Sequence, residues 1–162
     1  MPHPKPSNDY ERKLVANIAK YGWQCTSVRS PEGDTDSVNF SYTIGLNSSY
    51  GQPEFIIFGL PVETAHGILS LVADAAASGK PIDVSQPSST LIKNYEVVFV
   101  PVPRDQFSEY LGSVIWWEQG KDFAAVQIIW PDKNGLFPWH LNAPESFKMS
   151  QPILGIYKDT KE

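Results

Sequence analysis

The sequence predicts an α+β fold: a single domain with a mixed or mainly antiparallel sheet and two or three helices packed on it. Three observations lead there. The periodic segments run in the order α-β-β-β-α-β-α-β-β, with no sustained βαβα alternation. A length of 162 residues suits one domain that buries roughly two thirds of its unfolded surface. Hydrophobic residues make up 41% of the chain, with five Trp, seven Tyr and eight Phe available to fill a core. The expected organisation is a flexible tail over 1–6, one domain over 7–157 and a frayed end over 158–162.

The elements follow in order. Ser7 is a candidate N-cap and Glu11 favours a helix N-terminus, while Leu14 with Ile18 and Val15 with Ala19 fall at helical spacing. A helix over roughly 8–20 is predicted, closed by Gly22 as a left-handed cap. Trp23 to Arg29 reads as a strand, and residues 30–36 as a turn-rich loop. Val38 to Ile44 alternates, so Val38, Phe40, Tyr42 and Ile44 face one side and Asn39, Ser41 and Thr43 the other. These two strands are expected to pair as a hairpin. Residues 47–53 read as a polar loop. Glu54 to Phe58 is an almost continuous apolar run, which fits a central strand covered on both faces.

Pro61 suits a helix start, and Val62 to Ser78 carries Ala65, Ile68, Leu69, Val72 and Ala76 on one face, with Gly79 as its cap. Residues 80–91 read as a long polar loop. Tyr95 to Val102 is a strand that Pro101 confines to an edge or ends early. Arg104 to Trp117 reads as a short helix with Phe107, Tyr110, Leu111 and Val114 inward. Asp122 to Trp130 is a last alternating strand, and Leu136 to Trp139 forms the returning arm of a hairpin. The final twenty or so residues read as irregular.

Composition narrows the function classes. Net charge is −5 with no long basic run, which opposes nucleic-acid binding. The N-terminal Met1-Pro2-His3-Pro4 lacks the apolar core of a signal peptide, and no run approaches the roughly 20 apolar residues of a membrane span. One cysteine, Cys25, forms no internal disulfide. A soluble cytoplasmic protein, of open oligomeric state, is the expectation.

The densest segment is Trp130-Pro131-Asp132-Lys133-Asn134-Gly135-Leu136-Phe137-Pro138-Trp139-His140. Asn134-Gly135 is a turn signal, because both positions tolerate positive φ. Asp132 at the turn mouth either caps the turn backbone or faces a ligand. Trp130, Phe137 and Trp139 either pack or stack on a planar ligand.

Tyr42-Thr43-Ile44-Gly45-Leu46, Pro53-Glu54 leading into Ile56-Ile57-Phe58-Gly59-Leu60, and Gln127 to Trp139 with Gln151-Pro152 behind it occur in that order. Together they resemble an uncharacterised bacterial domain-of-unknown-function family, over roughly residues 20–155. The resemblance implies a fold and no activity, and its pattern has an acid where this chain has His140. The same order is faintly similar to suppressor-of-fused domains, which are protein-binding modules with bacterial relatives associated with toxin immunity. That likeness would imply a protein partner and a role in immunity or defence.

Other chemistry is thinly represented. His66 and His140 are the histidines of the folded part, and no His-x-x-x-His or Cys-x-x-Cys pattern accompanies them, so neither metal nor cofactor is expected. Cys25 sits in a strand with no basic cluster to activate it. Ser41 and Thr43 lack a nucleophile elbow and read as a hydrogen-bonding or solvent face. Glu54 opens an apolar strand and is either satisfied by loop backbone or held at a raised pKa.

Two functions follow. The first is a binding module whose aromatic-lined groove combines Tyr42, Thr43, Glu54, Trp130, Asp132, Trp139 and His140 for a small molecule or a partner protein. The alternative is a hydrolase-type enzyme with Glu54 or Asp132 and a histidine as acid–base residues.

Overall fold

A computed structural model describes residues 3–29 and 38–157. The loop expected over 30–36 and the end expected over 158–162 lie outside the described residues. The fold is α+β: a six-stranded mixed sheet with helices on both faces.

Helix α1 spans Asp9–Tyr21. Asn8, rather than Ser7, is its N-cap and accepts from the Glu11 N–H, while the Glu11 carboxylate accepts from the Ser7 N–H and hydroxyl at 2.8 Å each. Gly22 closes the helix at φ 88°. Strand β1 (Gln24–Val28) pairs antiparallel with β2 (Phe40–Ile44), the expected hairpin.

The chain then departs from expectation. The segment expected as a polar loop contains helix α2, Leu46–Tyr50. Its buried Leu46 anchors a single turn that the polar Asn-Ser-Ser composition conceals. Strand β3 (Glu54–Phe58) is buried at every position, as its apolar run predicts. Helix α3 (Val62–Ala77) lays Ala65, Ile68, Leu69, Val72, Ala73 and Ala76 on the sheet.

The expected 80–91 loop ends in strand β4, Ser88–Ile92, which pairs antiparallel with β5, Tyr95–Pro101. Ile92 faces Tyr95 across a two-residue turn in which Asn94 takes φ 71°. With β4 outside it, β5 is an interior strand, and Pro101 marks its end rather than an edge.

The helix expected over 104–117 is broken. A 3₁₀ turn (Arg104–Gln106) leads into α4 (Phe107–Tyr110), Leu111 leaves helical geometry at φ −115° and ψ 38°, and α5 (Gly112–Glu118) follows. Leu111 and Val114 stay fully buried across the break. Strand β6 is shorter than expected, Ala125–Ile129. The arm expected over Leu136 to Trp139 is not a strand, since residues 137–143 form two consecutive turns. The C-terminal stretch is not wholly irregular, because α6 spans Glu145–Ser150.

The strand order is β1-β2-β3-β6-β5-β4, antiparallel throughout except for the central parallel pair β3–β6. Strand alternation splits the core in two. Phe55, Ile57, Phe99, Val126 and Ile128 meet α3 on one face. Tyr42, Ile44, Ile56 and Phe58 meet α1 (Leu14, Ile18) and α4–α5 (Phe107, Leu111, Val114) on the other. Ser41 and Thr43 are therefore covered, at 3% and 0% exposure, and not a solvent face. A smaller cluster of Val98, Val100 and Ile129 is roofed by Phe137, Ile153 and Tyr157.

Candidate functional site

The seven residues expected to share one groove occupy three places. Tyr42, Thr43 and Glu54 lie where β2 ends and β3 begins. Trp130 and Asp132 lie beyond the opposite, carboxyl end of the parallel pair. Trp139 and His140 belong to the turns that follow.

Glu54 is fully buried, and all four of its short contacts are donors. Its Oε1 accepts from the Thr43 hydroxyl at 2.7 Å and the Leu46 N–H at 3.2 Å; its Oε2 accepts from the Gly45 and Asn47 N–H groups at 3.2 and 3.1 Å. Thr43 Oγ1 in turn accepts from the Phe55 N–H at 2.9 Å. Burial pushes the Glu54 pKa from 4.5 up to about 7, against the pull of the Asn47, Thr43, Leu46 and Gly45 hydrogen bonds. The carboxyl thus ties β2, β3 and α2 together. Tyr42 is buried one residue before Thr43, opposite Ile56, and its hydroxyl accepts from the Ser113 N–H at 3.3 Å, while burial raises its pKa.

At the other end of the sheet, Trp130 links the two parallel strands. Its indole N–H donates to the Phe58 carbonyl at 2.8 Å, and its ring meets Phe147 edge-on at 5.1 Å. Gln151 clamps its backbone, accepting from the Trp130 N–H at 2.8 Å and donating to the Trp130 carbonyl at 2.9 Å. Asp132 caps the turn: Oδ1 accepts from the Asn134 and Leu136 N–H groups, both at 2.9 Å, with Gly135 at φ 81°.

Between this turn, α3 and the β4–β5 hairpin runs an open groove of about 460 Å³. Leu60, Ile68, Leu91, Ile92 and Tyr95 form its apolar walls with Trp130; Thr64, Lys93 and Lys133 form its rim, and the turn residues Pro131 and Asp132 also line it. Tyr95 donates to the Lys133 carbonyl at 3.1 Å, which fixes the hairpin against the turn. Sequence reasoning missed Leu91, Ile92 and Tyr95 as site residues because 80–91 read as loop, which left the Tyr95–Val102 strand without its β4 partner. The signal was present, since Lys93-Asn94 separates Leu91-Ile92 from Tyr95 at the two-residue spacing of a hairpin turn.

Trp139 is 44% exposed and stacks between Phe137 and Tyr157, with centroids at 5.2 and 4.8 Å. His140 is exposed, and its Nδ1 accepts from the Asn142 N–H at 3.1 Å. His66 stacks on Trp23 at 6.0 Å and shares a cavity of about 530 Å³ with Cys25 and Asn17. Burial pushes the Cys25 thiol pKa up, with a Ser27 hydrogen bond opposing, so the thiol is a poor nucleophile. Among the described residues, no three His, Cys, Asp or Glu side chains group as a metal site would require. No described helix is long and apolar enough to cross a membrane.

Residues 17–144 match a family model described as a domain of unknown function, DUF4262. The chain belongs to this family. The DUF4262 span takes in Tyr42, Glu54, the groove and the Asp132 turn, and stops short of α6 and Gln151. No curated protein and no solved structure shows significant similarity to the chain.

Proposed function

We propose that this DUF4262 protein is a binding module whose groove beside Trp130 takes a small molecule with an apolar body and an anionic group. One observation carries the reading: six apolar or aromatic side chains converge on an open space of about 460 Å³, with Lys93 and Lys133 on its rim. That volume lies within the roughly 300–1,000 Å³ of small-molecule sites. Its position, beyond the carboxyl ends of the parallel strands β3 and β6, is also where open α/β sheets hold ligands. The carboxylates of the hydrolase alternative favour binding instead. Asp132 Oδ1 is occupied by turn N–H groups and Glu54 by four donors, at opposite ends of the sheet.

Anilinonaphthalene sulfonate is a suitable probe, being aromatic and anionic. Its fluorescence should rise on binding, and Thr64→Trp, which fills the groove from an exposed helical position, should weaken binding by about tenfold or more. Trp139→Ala, outside the groove, should leave it unchanged. Equal binding by wild type and a folded Thr64→Trp would refute the reading. Mass spectrometry of what co-purifies with the native protein would then separate a metabolite from a protein partner.

A further inference from the structure

A second cavity, of about 570 Å³, lies across the sheet from this groove, between α1, α5 and the chain around Pro4. Glu118 lines it and is 5% exposed, and its Oε2 has no hydrogen-bond partner among the described residues. Glu118 continues the stripe of Leu111 and Val114, both fully buried, so an acid occupies a position that the helical spacing assigns to the core. Burying a carboxyl oxygen without a donor is costly, and such a group marks either strain or a missing partner.

The rest of the cavity indicates the partner. Val15 and Ile18 of α1 give it an apolar wall. Trp117 gives it an aromatic one, held in place by its indole N–H donating to Ser48 Oγ at 2.9 Å. His3 lies nearly parallel to that indole, with ring centroids 6.5 Å apart, so the chain before α1 forms the outer wall. Lys5 and Lys121 are exposed and line the mouth. Neither is within ion-pair distance of Glu118 among the described residues.

We propose that this cavity binds a free α-amino acid with an apolar or aromatic side chain. Its ammonium group donates to Glu118, its carboxylate meets Lys5 and Lys121, and its side chain packs on Trp117 and Ile18. The charge pattern selects against simpler ligands. A lone cation gains Glu118 but meets two lysines at the mouth. A lone anion gains the lysines and leaves Glu118 Oε2 without a donor. A zwitterion satisfies both, and an ammonium beside an indole gains a cation–π contact as well.

Calorimetric titration with L-phenylalanine tests this, with phenethylamine lacking the carboxylate and N-acetyl-L-phenylalanine lacking the ammonium group. L-Phenylalanine should bind, and each analogue should bind about tenfold or more weakly. Glu118→Gln should weaken L-phenylalanine by a similar factor. Lys121→Ala, an exposed change that keeps the fold, should weaken L-phenylalanine and leave phenethylamine binding no weaker, since it removes one of the two like charges at the mouth. No binding of L-phenylalanine, L-leucine or L-tryptophan at millimolar concentration would overturn the proposal. So would equal affinity for all three phenyl compounds, or L-phenylalanine binding that a folded Glu118→Gln leaves intact. Should Glu118→Gln fail to fold, Lys121→Ala decides: lost discrimination between L-phenylalanine and phenethylamine supports the site, and unchanged discrimination refutes it.

Discussion

Exchanging Glu54 for Gln turns a buried carboxyl into a measurable pH dependence. The folded protein holds this group's pKa near 7, above its ordinary 4.5, chiefly because burial penalises the charge. Between those two values the folded state binds more protons at this site than the unfolded state. Stability must therefore fall as pH rises. The contribution is fully present below the unfolded pKa and is lost as pH climbs through the folded one. A pKa of about 7 in place of 4.5 corresponds to about 3 kcal/mol across the window. That is a large share of the roughly 5–15 kcal/mol that holds a domain of this kind together.

Urea unfolding of wild type and Glu54→Gln, followed by tryptophan fluorescence at intervals from pH 4.5 to 8, reads the effect directly (pH values chosen about the window that linkage sets). Other titrating groups act on both proteins and cancel in the difference. Gln is neutral at every pH. Its amide offers one acceptor where Glu54 offers two, and its NH₂ faces either the Gly45 and Asn47 N–H groups or the Thr43 hydroxyl and Leu46 N–H. The variant should be less stable at the low-pH end, by about 1–3 kcal/mol for each donor left orphaned. Its deficit should shrink by up to about 3 kcal/mol as pH rises, because only wild type loses stability there. A deficit that stays constant or grows with pH would show that the four donors outweigh burial and hold Glu54 ionised.

Two further predictions concern how the C-terminal chain is seated on the sheet. Gly59 and Gly79 share φ 83°, but a β-carbon at Gly59 would overlap the Ser150 carbonyl oxygen and press on Trp130, whereas Gly79 faces open space. Gly79→Ala should cost about 1 kcal/mol from backbone strain alone, and Gly59→Ala at least about 2 kcal/mol more in urea unfolding; equal costs would mean that α6 yields freely. Gln127, with no exposure, donates to the Pro152 carbonyl at 2.6 Å and accepts from the Leu154 N–H at 2.9 Å. Gln127→Met keeps the volume and removes both bonds, so amide exchange over 152–157 should accelerate by about tenfold or more while β3 stays protected; unchanged exchange there would show that packing alone docks the segment.

Much of the fold was legible because long periodic segments carry their own evidence. The apolar stripe of α3, the all-apolar β3 and the alternation of β2 each identify an element and its buried face. Short elements do not. Helix α2 has five residues and gains its place from Glu54, eleven residues beyond Thr43, through donors that no local pattern announces. Helix α6 has six residues and no buried ones, so it has no stripe to read. The break at Leu111 preserves the inward positions of Leu111 and Val114, which is why one helix and two helices look alike in the sequence.

The site was harder, because spacing along the chain does not say which end of a strand a residue reaches. Thr43 and Trp130 both sit at strand ends, yet β2 runs antiparallel to β3, and β6 parallel to it. The carboxyl end of β2 therefore meets the start of β3, while the carboxyl ends of β3 and β6 lie together. One assumed groove separates into a buried knot around Glu54 and an open groove around Trp130. The same strand polarity gives the two glutamines their parts. Gln127 on β6 binds the returning C-terminal chain at Pro152 and Leu154, and Gln151 of that chain binds the Trp130 backbone, each with a side-chain amide where a paired strand would have used its backbone. A side-chain amide sets an N–H donor beside a carbonyl acceptor, as a peptide group does. Trp130, a wall of the groove, is thus held by Gln151 as a neighbouring strand would hold it.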